Sequence, residues 1–409
     1  QQTTDGGYIV IGRTSSYGNG SREVWLIKID SQGQEEWNQT YGGSDSDVGN
    51  SVQQTTDGGY IITGSTQSFG NGSLDVWLIR LEGDGSVVPY YGPTWHVSTS
   101  GSDDNDGSEE NPFATIQHGI DVSSDEDTVL VDDGTYYENL NIDNVDLFLI
   151  GQNRETTIID GGSTGRVVDI KGGIYPDSNT VILKGFKIQN GIADESNGQY
   201  SGGGILVWNT GDFYFSNLIV ENNYAETFGG GIRVAGGSNT YIDNSIIRNN
   251  QAGNGAGVRI DVDSSPILEN VIIRNNYAGD QGGGIYSAAS NPIITNVTFS
   301  GNISSGDGGG IFCDVSDPYL ISCILWNNSA QAIEGSITAT YSDIQGGYEG
   351  EWNIDSDPFF VDAANGDYRL SDYSPAIGAG TTAGAPSTDI EGNPRPNPEG
   401  LNPDMGAYE

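Results

Sequence analysis

Five phrases decide the fold: SGGGILVWNT (201–210), GGGIRVAGGS (229–238), GAGVRIDVDS (255–264), GGGIYSAASN (282–291) and GGGIFCDVSD (308–317). The apolar residue after each glycine run is Ile205, Ile232, Val258, Ile285 and Ile311, at steps of 27, 26, 27 and 26 residues. A second phrase keeps step: Asn222-Asn223, Asn249-Asn250, Asn275-Asn276, a single Asn302, then Asn327-Asn328. A third series runs Asn217, Asn244, Asn270 and Asn296, with Ser322 in the last place. Self-similarity at a fixed period of this length marks stacked supersecondary units. Inside each unit the apolar residues alternate, as in Ile232-x-Val234 and Val297-x-Phe299, which is the period of a strand. A unit has room for about three short strands and three turns, so each reads as one rung of a coil, paired in parallel with the next about 4.8 Å away. A glycine run can cradle phosphate, but that loop needs a following helix and usually a Lys or Ser/Thr, and neither follows here. The glycines read instead as tight corners, and the asparagines as stacked ladders inside bends.

Composition agrees. There are 62 Gly and 14 Pro in 409 residues, with 17% charged, and no run of 18 apolar residues suggests a membrane span. The chain begins with Gln and shows no signal peptide, as a mature or excised piece would, and its length suits two or three domains. Fifty-six acidic residues against 15 basic ones give a net charge of −41. That field repels phosphate, so nucleic acid is not expected as a partner. It also opposes polyuronates unless Ca²⁺ screens it, and it suits an extracellular, salty or Ca²⁺-rich setting, although acidic surfaces also simply aid solubility. Cys313 and Cys323 fall on one rung and both point inward by alternation, as a disulfide or as two small core residues. With only His96 and His118 besides, neither a zinc site nor a Cys–His dyad is expected.

Residues 1–88 carry a different repeat: QQTTDGGYIVIGRTSSYGNGSREVWLIKID (1–30) recurs at 53–82 with an offset of 52. Each copy reads as strands Tyr8–Gly12, Val24–Ile29 and Glu36–Tyr41, plus one before the next Asp-Gly-Gly. Four strands per unit is the pattern of a propeller blade. Under two blades cannot close a ring, so the outer strand edge is expected to be covered by the coil's flank, by upstream blades of a longer precursor, or by a neighbouring chain that would make a head-to-tail assembly. Residues 89–124 read as linker and N-terminal cap. There Asn111 N-caps a helix with Pro112 first, and Phe113, Ile116 and Ile120 share an apolar face. Residues 125–345 are the coils and 346–409 a C-terminal cap.

The phrases GSDDNDGS (101–108), NPFATIQHGI (111–120), DTVLVDDGTYYENLNI (127–142), LFLIGQNRETTIIDGG (147–162) and TVILKGFKIQNG (180–191) resemble the entry of right-handed parallel β-helix proteins of the pectate-lyase-like superfamily. The glycine-rich rungs resemble repeats of polymorphic outer-membrane proteins. The tail DPFFVDAANGDYRLSDYSPAIGAG (357–380) with TDIEGNPRPNPEGLNPDMGAYE (388–409) resembles the C-terminal cap of secreted β-helix proteins, and residues 1–88 resemble secreted propeller repeats. The resemblance covers roughly 95–409. It implies an all-β chain: a right-handed parallel β-helix with a short capping helix, preceded by a small antiparallel region. It leaves function open, because such proteins include lyases, hydrolases, epimerases, adhesins and anchored proteins.

In enzymes of this fold the site lies on the outer face of a sheet. Alternation puts Leu206, Arg233, Arg259, Tyr286 and Phe312 in one outward column and Trp208, Ala235, Asp261, Ala288 and Asp314 in the next. Trp208, Tyr286, Phe312 and Asp314 read as a sugar platform, since flat apolar faces stack on rings and charged groups bond hydroxyls. They read equally as an ordinary sheet exterior. Asp261 and Asp263 beside Arg233 and Arg259 come nearest to the Ca²⁺ ligands and base of a polyuronate lyase. Asp261 and Asp314, two rungs or about 10 Å apart, come nearest to a glycosidase pair. Asp alternating with Arg is also how a sheet exterior pairs its charges. Asp103, Asp104 and Asp106 form an oxygen-rich loop suited to Ca²⁺, without EF-hand spacing. Two functions stand: a secreted or surface carbohydrate-binding, adhesive or structural protein, or an extracellular polysaccharide lyase or glycoside hydrolase.

Overall fold

The computed structural model describes the whole chain except residues 17–21, 56–57, 69–74, 82, 87–92, 174–178 and 330. It divides into two compact units, Gln1–Tyr91 and Gly92–Glu409. The first holds two three-stranded antiparallel sheets, Tyr8–Thr14 with Glu23–Ile29 and Glu35–Tyr41, and Val48–Gln54 with Tyr60–Thr66 and Asp75–Leu81. Ile9, Val24, Leu26, Tyr60, Ile62 and Leu81 form its core. The strand before the second Asp-Gly-Gly pairs with the second copy, so a blade is offset from the sequence repeat by one strand. Lys28 is buried between the carboxylates of Asp5 and Glu36, which satisfies a charge that would otherwise be costly to desolvate. At the open edge of Tyr8–Thr14, the Ile9 N–H donates to the Gln1 carbonyl.

The second unit is a right-handed parallel β-helix. Three long parallel sheets run its length. The first face has eight strands, from Leu140–Asp143 through Ile205–Trp208 to Ile333–Glu334. The second has ten, from Thr94–Val97 to Thr338–Thr340, and the third has nine, from Gly134–Tyr137 to Asp343–Ile344. Ile205, Ile232, Val258, Ile285 and Ile311 are successive register partners and fully buried, as the sequence requires.

The bends explain the other repeats. Asn217, Asn244, Asn270, Asn296 and Ser322 all take left-handed φ between the second and third faces. Just after the third-face strands, Asn222, Asn249, Asn275 and Asn327, the first members of the Asn pairs, take left-handed φ as well. The single Asn302 is no exception, because Gly301 (φ +67°) takes the left-handed place before it. The second members form the ladder: Asn250 Nδ2 donates to the Val220 carbonyl and to Asn276 Oδ1, at 2.9 and 3.1 Å, and Asn276 repeats this one rung on. The glycine runs are corners. Gly229 sits at φ +64°, and a Cβ on Gly231 would lie 2.6 Å from the Gly257 carbonyl of the next rung.

The entry helix is shorter than the sequence suggests. It spans Ile116–Val122 with Thr115, not Asn111, at its N-cap. Phe113 is held extended by backbone bonds to His96 and Ser98, so the helix cannot begin at Pro112. Two carboxylates then fix its start: Glu138 accepts from its first two N–H groups, Ile116 and Gln117, and Asp103 from Ala114, Thr115 and the Thr115 hydroxyl just before it. Phe113, Ile116 and Ile120 are buried against the first rungs.

The C-terminal segment is more than an end cap. Tyr348 packs on the last rung, and the chain then returns along the outside of the third face. Tyr368, Ile390 and Ala407 pack on Ile272, and Ala376 and Met405 on Ile324. The strap is fastened by buried polar groups. Arg395 pairs with Glu409 at 3.0 Å and donates to Asn270 Oδ1, while Asn296 donates to the carbonyls of Asp404 and Gly406.

Val258→Asp, which places a carboxylate in the inward stack, is expected to lower unfolding free energy by several kcal/mol in denaturant melts. A second expectation concerns pH. Burial pushes the Asp343 carboxyl up to about 7 and that of Asp404 up to about 6. The folded chain therefore holds these protons where the unfolded chain has lost them, and their contribution to stability falls as pH rises from about 4 through about 7. Asp343→Asn should raise the melting temperature at pH 8 and leave it nearly unchanged at pH 5.

Candidate functional site

The first face carries the charged and aromatic side chains singled out by alternation. Its outward column is Asp169, Leu206, Arg233, Arg259, Tyr286, Phe312 and Glu334 in continuous register. Trp208 and Asp314 lie in the column beside it, as does Asp261, which follows Ile260.

Five of the named residues converge. Asp261 Oδ2 accepts from Arg233 Nε at 2.8 Å and lies 2.7 Å from its Nη2, and Asp261 Oδ1 accepts from Arg259 Nε at 2.8 Å. The Arg259 guanidinium is 3.8 Å from the Tyr286 ring centre and 4.7 Å from that of Phe228. Tyr286 in turn packs against Phe312, with ring centres 4.9 Å apart, and burial raises its phenol pKa. This makes a sealed stack: Arg259 and Tyr286 are only 9% and 8% exposed although they point away from the core. A guanidinium between two rings and a carboxylate is held by cation–π attraction and charge-assisted hydrogen bonds at once.

Of the other three named residues, Asp314 touches the stack. Asp263 is exposed in the turn after Val258–Ile260, at φ +65°. Trp208 is 42% exposed. Asp314 is exposed, and its Oδ2 lies 3.4 Å from the Tyr286 hydroxyl. Asp261 and Asp314 sit two rungs apart with Ala288 between them. The Arg–Asp pairing thus follows the sheet-exterior reading: of the four catalytic candidates Arg233, Arg259 and Asp261 are paired with one another, while Asp263 is exposed in the turn. Two open depressions, of about 790 and 740 Å³, lie beside the entry helix (Gln117, Asp121, Asn141) and at the last rung (Asn328, Glu334, Tyr348), and neither includes a site residue named from the sequence.

The oxygen-rich loop is also otherwise engaged. Both Asp103 oxygens cap the entry helix, Asp106 closes a turn on the Ser108 N–H and hydroxyl, and Asp104 is exposed. Among the described residues no group of three or more His, Cys, Asp or Glu side chains is placed to hold a metal ion. Asp103, Asp104 and Asp106 are not gathered into such a group. Cys313 and Cys323 are buried and unbridged, and burial pushes both thiols up to about 12.

Sequence reasoning missed Phe228, Arg166 and Asp169. Phe228 is the one aromatic at its place in the repeat; its neighbours on adjacent rungs are Ser201 and Asn254. No periodicity could flag it. Arg166 pairs with Asp169 and donates to the Ser201 and Gly202 carbonyls, anchoring the first glycine-run corner.

The unit is defined by this architecture as a β-helix with a closed, self-paired first face. A family described as right-handed beta helix region matches residues 203–345. Among curated proteins, the uncharacterized protein YwoF of Bacillus subtilis (strain 168) is 40% identical over 47 residues, which is 12% of this chain. The match spans 10% of that protein's length. Among solved structures, pectin methylesterase PemA from Erwinia chrysanthemi is similar at 15% identity and a TM-score of 0.35, covering 64% of this chain and 82% of that one. Pectate lyase Pel9A is similar at 16% identity and 0.36, covering 78% and 96%. Likenesses this distant carry no argument about chemistry, and the fold rests on the strand register itself. No helix among the described residues is long and apolar enough to cross a membrane.

Asp261→Ala would leave two adjacent guanidinium groups without their carboxylate. We expect a loss of roughly 2–4 kcal/mol, tempered by the partial exposure of Arg233, measured by denaturant unfolding beside Asp263→Ala, which should be near neutral.

Proposed function

We propose that this chain is an extracellular or cell-surface carbohydrate-binding β-helix, adhesive or structural in role, without catalysis at the first face. The observation that supports it most is the engagement of Asp261. A general base or a metal-binding carboxylate needs a free oxygen facing substrate, and both oxygens of Asp261 are held by Arg233 and Arg259. Arg259, the candidate base of a lyase, is closed in between two rings. The polysaccharide lyase or glycoside hydrolase reading loses its best-placed residues by the same geometry. A charge of −41 suits a salt-rich exterior, where Ca²⁺ and other divalent ions act as screening counter-ions. Residues 1–88 would then serve as the segment through which copies or neighbouring modules are joined. The test is a glycan array run beside product assays on the same polysaccharides. Retention of a glycan with no unsaturated or new reducing-end product is expected. Turnover that disappears in a folded Asp261→Asn variant would overturn the reading.

A further inference from the structure

Two outward columns of the coil are apolar over many rungs. On the third face that column runs Ile219, Ile246, Ile272, Thr298 and Ile324, and the C-terminal strap packs along it. On the second face Ile182, Tyr214, Tyr241, Ile267, Ile293 and Tyr319 are consecutive register partners. They make a straight strip about 24 Å long by the rung spacing. This strip is open: Tyr214, Ile293 and Tyr319 are 43%, 42% and 49% exposed. Apolar residues scattered singly on a surface need no explanation, but a continuous row does.

The row beside the strip is polar, Thr180, Asp212, Asn239, Ser265, Asn291 and Asp317, with Asp146 one rung before it, and its carboxylates meet neutral partners. Asp146 accepts from the Thr180 N–H at 2.6 Å, Asp212 from the Asn239 amide at 2.9 Å, and Asp317 lies 3.5 Å from the Thr338 hydroxyl. Asp243 and Glu269 stand on the opposite flank. Four carboxylates, Asp212, Asp317, Asp243 and Glu269, thus flank the strip of rings and branched aliphatics against one cation, Lys184, and this balance favours a cationic occupant. At this strip a second copy presenting the same carboxylates is repelled, and so is a polyuronate. A peptide strand finds no free edge, because these strands are paired on both sides. A sugar polymer with amino groups meets both features: the C–H faces of its rings stack on the tyrosines, and its ammonium groups and hydroxyls bond the carboxylate and amide rows.

We propose that the outer surface of the second face, along Tyr214, Tyr241 and Tyr319 and flanked by Asp212 and Asp317, is the docking strip for an amino-sugar glycan. This inference rests on the glycan-binding reading above and gives it a place and a ligand class. The experiment is calorimetric titration of the full chain with a glucosamine hexamer, an N-acetylglucosamine hexamer, a galacturonate hexamer and an oligolysine of matched charge. Two variants accompany it, Tyr214→Ala with Tyr319→Ala and Asp212→Asn with Asp317→Asn. Both alter outward side chains, and unchanged melting curves verify their fold. The glucosamine hexamer is expected to bind, to weaken as salt rises, and to lose roughly tenfold in affinity in the tyrosine variant, while oligolysine binding is indifferent to the tyrosines. Equal glucosamine affinity in the tyrosine variant would mean simple ion exchange on an acidic protein, and would overturn the proposal. Oligolysine that depends equally on the tyrosines would make the strip a peptide surface and overturn it as well. Tighter binding of the N-acetylated hexamer would defeat the amino-sugar assignment while leaving the glycan-binding reading intact. If no glycan binds anywhere on the chain, both this proposal and the functional reading fall.

Discussion

Everything in the β-helix depends on parallel backbone pairing between rungs held in strict vertical register. A strand of three residues, such as Ile232–Val234 or Val258–Ile260, cannot be stable alone. It persists because the rungs above and below take its N–H and C=O groups. Register then dictates the side chains: an inward position must be filled by the same kind of residue on every rung, or the column loses contact. It also dictates the corners. A bend that must repeat every rung in one place needs a residue tolerant of left-handed φ, which is why asparagine or glycine recurs there.

That constraint explains what could be read in advance. The inward column, the alternation and the bend residues repeat because each rung meets the same demand, so a single sequence displays them as a period. The outward columns of the first face were also legible as a geometric list. What they do was not, because Arg259 is closed in between Tyr286 and Phe228, a residue at a place where adjacent rungs carry Ser201 and Asn254. The true helix start was hidden for a related reason. Local capping chemistry favours Asn111-Pro112, but tertiary bonds hold Phe113 extended, and the carboxylates of Asp103 and Glu138 supply the cap from a distance. The path of the strap was illegible, since nothing local in residues 357–409 says which face they cover.

The same logic separates two kinds of surface charge. On the first face, opposite charges close on each other, and the result is rigidity. Along one flank of the second face, Asp212 and Asp317 meet neutral partners and stand beside exposed rings. Counting acidic residues alone would not distinguish the two.

The strap has a consequence for how the molecule comes apart. In a stack of repeats each rung touches only its neighbours, so the ends can fray and loss can travel rung by rung. Here one returning segment bonds to Asn270, Asn296 and Thr298 and packs on Ile272 and Ile324, tying rungs that share no direct contact. Peeling the last rungs then requires releasing the strap from earlier ones. A zipper is turned into a cooperative block: the C-terminal half of the coil should open as one unit, and the rungs nearest the entry helix are left to move more independently.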